Sequence, residues 1–93
     1  MSMLSLSQRA GKLISGEESV EIAIKNNEAV LVLIAGDASE NTKKKFNDKA
    51  KSYGVEVFEI SDRQTLSGAI GKYNRAVFCV TDVNFANRMK AEL

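Results

Sequence analysis

The chain contains no histidine, no proline and no tryptophan, and its only cysteine is Cys79. Without histidine there is no Ser-His-Asp or Cys-His nucleophilic relay, and no imidazole to hold a metal. One cysteine forms no disulfide within the chain and no CxxC pair, which fits a reducing cytoplasm as the expected location. The absence of proline leaves nothing to mark a linker, and no segment is of low complexity, so residues 1–93 are expected to form one domain. No apolar run approaches the roughly 18 residues of a membrane span, so no membrane contact is expected. Serines interrupt Met3, Leu4 and Leu6, so no signal peptide is expected either. Neither GxxxxGK[ST] nor GxGxxG occurs, and no cofactor or metal is implied. Aromatic residues make up 6% of the chain. Phe46, Tyr53, Phe78 and Phe85 fit core positions, which leaves little for base-stacking platforms.

What is present is an ordinary globular composition, 44% apolar and 27% charged, with a net charge of +1. A chain of this size supports a single core, burying roughly 60–65% of the surface its unfolded form exposes. Charge distribution says more than the total. Five lysines lie between Lys43 and Lys51 against one acid, Asp48, while Glu17, Glu18 and Glu21 cluster upstream.

Helical and strand patterns alternate. Met3, Leu6, Ala10 and Leu13 fit one face of a first helix ending near Gly11–Lys12. Ser15-Gly16-Glu17-Glu18 has the form of an S-x-x-E capping box opening a second helix, whose apolar face is Val20, Ala23 and Ile24. Val30–Ala35 is an unalternated apolar run, as suits a strand buried on both faces. Ser39 caps a third helix with Phe46, Ala50 and Tyr53 inward, stopped by Gly54. Val55–Ile60 is an alternating strand with Glu56 and Glu59 as polar members. Ser61-Asp62-Arg63-Gln64 repeats the capping-box pattern before a helix that buries Leu66, Ala69 and Ile70 and ends at Gly71. Ala76–Val80 is another buried strand, and Thr81 or Asp82 caps a last helix with Phe85, Ala86 and Met89 inward. Lys12–Ser15 has room for a very short extra strand. This order predicts a three-layer α/β/α sandwich around a largely parallel sheet.

Ligands of open α/β sheets gather beyond the carboxyl ends of the strands. Gly36-Asp37 stands there, with glycine for close approach and the helix opened by Ser39 just beyond. Asp37 suits a ligand turn, a catalytic acid or phosphoacceptor, or a turn residue bonding its own backbone. Lys43 and Lys44, one turn into that helix, suit phosphate contact or a solvated face. Glu17 and Glu18 complement a helix start, and a carboxylate there also accepts from a nucleobase amino group.

Four blocks, LSQRAGKLISGEES, AVLVLIAGDASENTKKK, DRQTLSGAIGK and AVFCVTDVNFA, together resemble the ribosomal L7Ae/L30e family, especially its small bacterial members. The resemblance runs from Leu4 to Met89. It implies an α/β/α sandwich with a mixed four-stranded sheet and non-catalytic binding of structured RNA, kink-turn or ribosomal, in the setting of the ribosome, its assembly proteins and translation. It assigns RNA contact to the start of the second helix, the turn after the following strand and the loop before the last helix. On this chain these fall on Ser15, Gly16, Glu18 and Ser19; on Gly36, Asp37 and Ser39; on Arg63; and on Thr81 and Asp82, with Lys25, Lys43 and Lys44 as supporting cations. Three positions depart from the family pattern. Glu18 stands where the family has Asn and accepts without donating, Ile22 replaces a basic residue, and Gly36 replaces a larger one.

The helix start at Gly16, the turn at Gly36–Asp37 and the loop at Thr81–Asp82 are therefore expected along one edge. Two alternatives use the same fold: a protein-interaction module that has lost the RNA site, favoured by Ile22, and a phosphoryl-handling domain in which Asp37, Asp62 and Asp82 converge on magnesium.

Overall fold

Leu31–Ala35 forms a strand, β2, and all of its residues are buried. Such burial needs cover on both faces of the sheet, and the rest of the chain supplies it. The computed structural model describes residues 2–93. Along the chain lie α1 (Ser2–Arg9), β1 (Leu13–Ser15), α2 (Glu17–Lys25), β2, α3 (Glu40–Ser52), β3 (Glu56–Ile60), α4 (Arg63–Ala69), β4 (Val77–Val80) and α5 (Val83–Glu92).

The strands make one four-stranded sheet in the order β1-β4-β2-β3. β2 and β3 are parallel, with Leu33 opposite Phe58, while β4 runs antiparallel to both β1 and β2. The sheet is therefore mixed, as the family resemblance implies, and not largely parallel as the alternation of elements suggested. Helix length explains the difference. The 13 residues of α3 span about 20 Å, enough to return the chain along a five-residue strand. The 7 residues of α4 span only about 10 Å, so β4 starts near the end where β3 stopped.

Period-two alternation divides the buried run into two cores. Leu31, Leu33 and Ala35 of β2, with Phe78 and Val80 of β4, pack against α1, α4 and α5 through Leu4, Leu66, Ile70, Ala86 and Met89. Val32 and Ile34, with Val77 and Cys79, pack against α2 and α3 through Val20, Ile24, Phe46 and Ala50. Burial pushes the Cys79 thiol up to about 12, with the charge of Glu28 adding to the shift, so it serves as a small neutral core residue.

Local signals held in several places. The Ser39 side chain accepts from Thr42 N at 3.2 Å, and Gly54 adopts φ 70 beyond the end of α3. Others were displaced. Ser15 belongs to β1, and the residue before α2 is Gly16, which gives no side-chain cap bond. Asp62, not Ser61, caps α4, its carboxylate accepting from Thr65 N at 2.8 Å. On α1 the inward residues are Met3, Leu4 and Ser7, whereas Leu6 is exposed. Ala10 lies beyond that helix, and Leu13 belongs to the short strand for which Lys12–Ser15 left room. Tyr53 is exposed at the C-terminus of α3 rather than packed.

Candidate functional site

Since β4 opposes β1 and β2, and β3 parallels β2, the strands β1, β2 and β3 all finish at the end of the sheet where β4 begins. The chain passes this rim four times: at 15–16, 35–39, 60–62 and 71–76. Backbone hydrogen bonds stitch the passages together. Gly16 N donates to Val77 O at 2.9 Å, Ala35 N to Ala76 O at 2.8 Å, and Gly36 N to Ser61 O at 3.0 Å. Gly36 is required by this closure, because a Cβ there would stand 2.8 Å from Ser61 O. Ser61 itself takes φ 52, an uncommon conformation for a side-chain-bearing residue.

Asp37 is held by a neighbouring element. Its Oδ1 accepts from Arg63 N at 2.9 Å, and Arg63 Nε lies 3.6 Å away. The carboxylate thus braces the β2–α3 turn against the start of α4. Hydrogen bonds from Thr65 hold the Asp62 carboxyl below its ordinary range. The starts of α2 and α3 also meet, with Thr42 Oγ1 donating to Glu17 Oε2 at 3.4 Å. Glu18 and Ser19 are exposed in the first turn of α2.

Beside Asp37 opens a cleft of about 550 Å³ whose wall is formed by α4 and the loop leading to β4, and includes Arg63, Gln64, Lys72, Tyr73 and Asn74. Tyr73 is 91% exposed, so an aromatic side chain is presented to solvent at a cleft that Arg63 and Lys72 also line. The rim carries both signs of charge. Glu17 and Glu18 occupy the α2 side, and Arg63, Lys72 and Arg75 the side of α4 and its following loop.

Of the residues predicted from sequence, Ser15, Gly16, Glu18, Ser19, Gly36, Asp37, Ser39 and Arg63 come together at this rim, with Lys43 one turn into α3. Lys25 closes the far end of α2 and pairs with Glu21 at 3.5 Å. Thr81 and Asp82 lie at the opposite end of the sheet. Thr81 N donates to Lys12 O at 2.9 Å, and the Asp82 carboxylate caps α5 through Asn84 N and Phe85 N. The expected convergence of Gly16, Asp37 and Thr81 is corrected by the reversed direction of β4, which carries residue 81 away from the rim. The loop that completes the rim is the one before β4, containing Lys72, Tyr73, Asn74 and Arg75. Tyr73 fits no helical or strand periodicity and stands between Lys72 and Asn74, and that was the signal for it.

The lysine run is also more engaged than its sequence suggests. Lys43 pairs with Glu40 at 3.8 Å and Glu59 at 3.5 Å, and Lys44 with Asp48 at 3.7 Å. Lys45 and Lys49 both reach Glu21, at 3.2 and 2.8 Å.

The alternatives lose their geometric support. Asp82 is remote from Asp37, and among the described residues no group of three or more acids, cysteines or histidines could hold a metal ion. Ile22 is 52% exposed, and the residues one turn before and after it are Glu18, Ser19, Lys25 and Asn26, so α2 itself adds no apolar side chain beside it. No helix among the described residues is long and apolar enough to cross a membrane.

The model of the ribosomal protein L7Ae/L30e/S12e/Gadd45 family matches residues 1–90. The chain is 46% identical over 90 residues to the RNA-binding protein YlxQ of Enterococcus faecium, covering 97% of this chain and 86% of that one. It is 45% identical over 87 residues to the RNA-binding protein YlxQ of Bacillus subtilis strain 168, covering 94% and 87%. Among solved structures, a protein of unknown function from Bacillus halodurans gives a TM-score of 0.93 at 42% identity, covering 97% of this chain and 91% of that one. The Giardia lamblia 15.5kD RNA binding protein shares the fold, with a TM-score of 0.81 at 17% identity, covering 97% and 77%.

Proposed function

The chain belongs to the ribosomal protein L7Ae/L30e/S12e/Gadd45 family, and from that premise we propose that it binds structured RNA, of kink-turn or ribosomal type, through the rim formed by 15–19, 36–39, 63 and 72–75. Binding is non-catalytic and takes place in the cytoplasm, with the ribosome or its assembly proteins as the setting. The relatives named as RNA-binding proteins support the class of partner. The observation that carries the reading is the cleft beside Asp37, with exposed Tyr73 at its mouth.

Specific RNA recognition works on unstacked bases at loops and bulges, which stack on aromatic rings and bond through their edges. Tyr73 offers a ring. Gln64 and Asn74 offer both donors and acceptors, and Glu18 offers an acceptor for an amino or imino group. Cations around the loop before β4 take the phosphates. This division of labour suits a rim of mixed charge better than non-specific adhesion to a polyanion does.

Titration of a kink-turn hairpin and of a fully paired duplex of equal length, at about 50 and 200 mM salt, tests the proposal. The hairpin is expected to bind more tightly than the duplex. Three phosphate contacts give a log-log salt slope of about −2.5, or roughly 30-fold weaker binding at the higher salt. Tyr73→Ala is expected to weaken hairpin binding about tenfold, the loss of one stacked base. Absence of hairpin binding at the lower salt refutes the proposal. Equal affinity for hairpin and duplex removes its structural specificity.

A further inference from the structure

The net charge of +1 hides a division of sign along the chain. Segments 1–16 and 63–81 together hold five basic residues and no acid, whereas 17–59 holds nine acids against six lysines. The fold turns this division into two sides. The acid-free segments build α1 and α4, which with α5 cover one face of the sheet. Helices α2 and α3 cover the other, and five of the six lysines there are paired with acids.

Arg63, Lys72 and Arg75 belong to the rim already described. Arg9 and Lys12 lie at the other end of the sheet, at and just beyond the end of α1. The turn they occupy is fastened to the start of α5, since Lys12 O accepts from Thr81 N at 2.9 Å and from Thr81 Oγ1 at 3.3 Å. Arg88 joins them from α5. Lys90 turns one flank of that helix to Glu56 of β3, and Arg88, two residues earlier, stands on nearly the opposite flank. That flank looks toward α1, which packs on α5 and on β1 at the border away from β3. Arg88 and Asn84 line a cleft of about 210 Å³ on this surface.

Arg9, Lys12 and Arg88 are exposed, and none of them pairs with a carboxylate among the described residues. Asp82 shares the cleft, but its carboxylate is committed to Asn84 N and Phe85 N. Like charges held together without a counter-charge favour a polyanion. Neither α1 nor α5 exposes an aromatic ring, because α1 has none and Phe85 packs against the core. Unpaired bases therefore find no stacking platform here, whereas a double helix, recognised through its shape and backbone, needs none. The same layer carries Arg63 to the rim, and this continuity of sign favours RNA over an acidic protein.

We propose that this end of the α1–α4–α5 layer is a second RNA contact: Arg9, Lys12 and Arg88 take backbone phosphates of a double-helical segment while the rim holds another part of the folded RNA. The assignment rests on the RNA-binding reading above but uses none of the rim residues.

In the test, the protein is saturated with unlabelled kink-turn hairpin. A labelled RNA duplex of about 16 base pairs, the length a small double-strand reader spans, is then added at about 50 and 200 mM salt. The duplex is expected to bind without displacing the hairpin, roughly 30-fold more weakly at the higher salt for three phosphate contacts. The triple variant Arg9→Gln/Lys12→Gln/Arg88→Gln is expected to weaken the duplex about tenfold or more at the lower salt and to leave hairpin affinity within about twofold. Arg9→Lys/Arg88→Lys, which keeps the charges, retains the salt slope, and Lys51→Gln on α3 changes neither ligand. A second measurement needs no substitution: the amide resonances of Lys12, Asn84 and Arg88 shift as duplex joins the saturated complex, while those of Gly36 and Asp37 stay still. Should the triple variant not fold, these resonances decide. If the hairpin binds but the duplex does not, or displaces it, or binds the triple variant unchanged, the second contact is overturned and the rim reading stands. Polyglutamate that competes as well as unlabelled duplex assigns the surface to acidic chains and overturns it too. Failure of the hairpin to bind overturns the rim reading, and the duplex titration of the free protein then decides the second contact alone.

Discussion

Gly36 sits where the ends of β2 and β3 are tied, and the atom nearest a Cβ there is the Ser61 carbonyl oxygen that also accepts its N–H. Relief from a methyl group would require the two strand ends to part. Gly36→Ala is therefore expected to destabilise the protein by about 1–3 kcal/mol, measured by urea unfolding. An unchanged midpoint would show that this junction yields freely. Gly16 is a different case, because its close neighbour is the tip of an arginine rather than backbone. Both glycines were conspicuous in the sequence, and Gly36 was read there as a close-approach turn. What approaches it, however, is the protein's own backbone. The same holds for Asp37. Its place beyond a buried strand was legible, but its partner, the backbone N–H of Arg63, is 26 positions away in the chain and had no local sign.

At the scale of elements, α2 and α3 are joined by charge. Glu21 on α2 takes Lys49 at 2.8 Å and Lys45 at 3.2 Å from α3, and hydrogen bonds from Lys49 and Lys45 lower its carboxyl to about 2. A carboxyl with a depressed pKa adds stability that is complete above its unfolded value, here 4.5, and is lost as pH falls toward about 2. Thermal unfolding between about pH 5 and pH 2 should therefore show a shallower decline for Glu21→Gln than for the unaltered protein. Superimposable profiles would mean the cluster adds nothing. In the sequence the lysine run suited phosphate contact or a solvated face; Asp48 was visible within it, but Glu21 and Glu59 reach it from other elements that a linear reading does not bring together. Helix starts show the same limit. Ser39 was legible since its cap bond spans three residues, but at 61–62 two adjacent cap formers competed. There the serine took φ 52 and the aspartate took the cap.

For the molecule as a whole, the direction of β4 decides which segments share a rim. A buried strand reads the same in either direction, so Val77–Val80 gave no sign of its sense. The shortness of α4 did, since Gly71 stops it too early for the chain to cross the sheet. The resemblance, through the loop before the last helix, and a largely parallel sheet both put Thr81 and Asp82 at the rim, whereas the antiparallel β4 brings 71–76 there instead. Thr81→Ala and Lys25→Gln are accordingly expected to leave hairpin affinity within about twofold, while Tyr73→Ala does not. A strong effect at Thr81 would return the binding surface to the other end. The strand order also leaves β3 as an outer strand, the kind of open ladder on which another polypeptide can continue a sheet. Here Glu59 meets Lys43 from α3, and Glu56 meets Lys90 from α5 at 2.8 Å, so a fixed ion pair guards each face of that border. An incoming strand would have to slide between two sets of hydrated charges, and sheet growth from copy to copy is discouraged even at the high concentrations of a crowded cell.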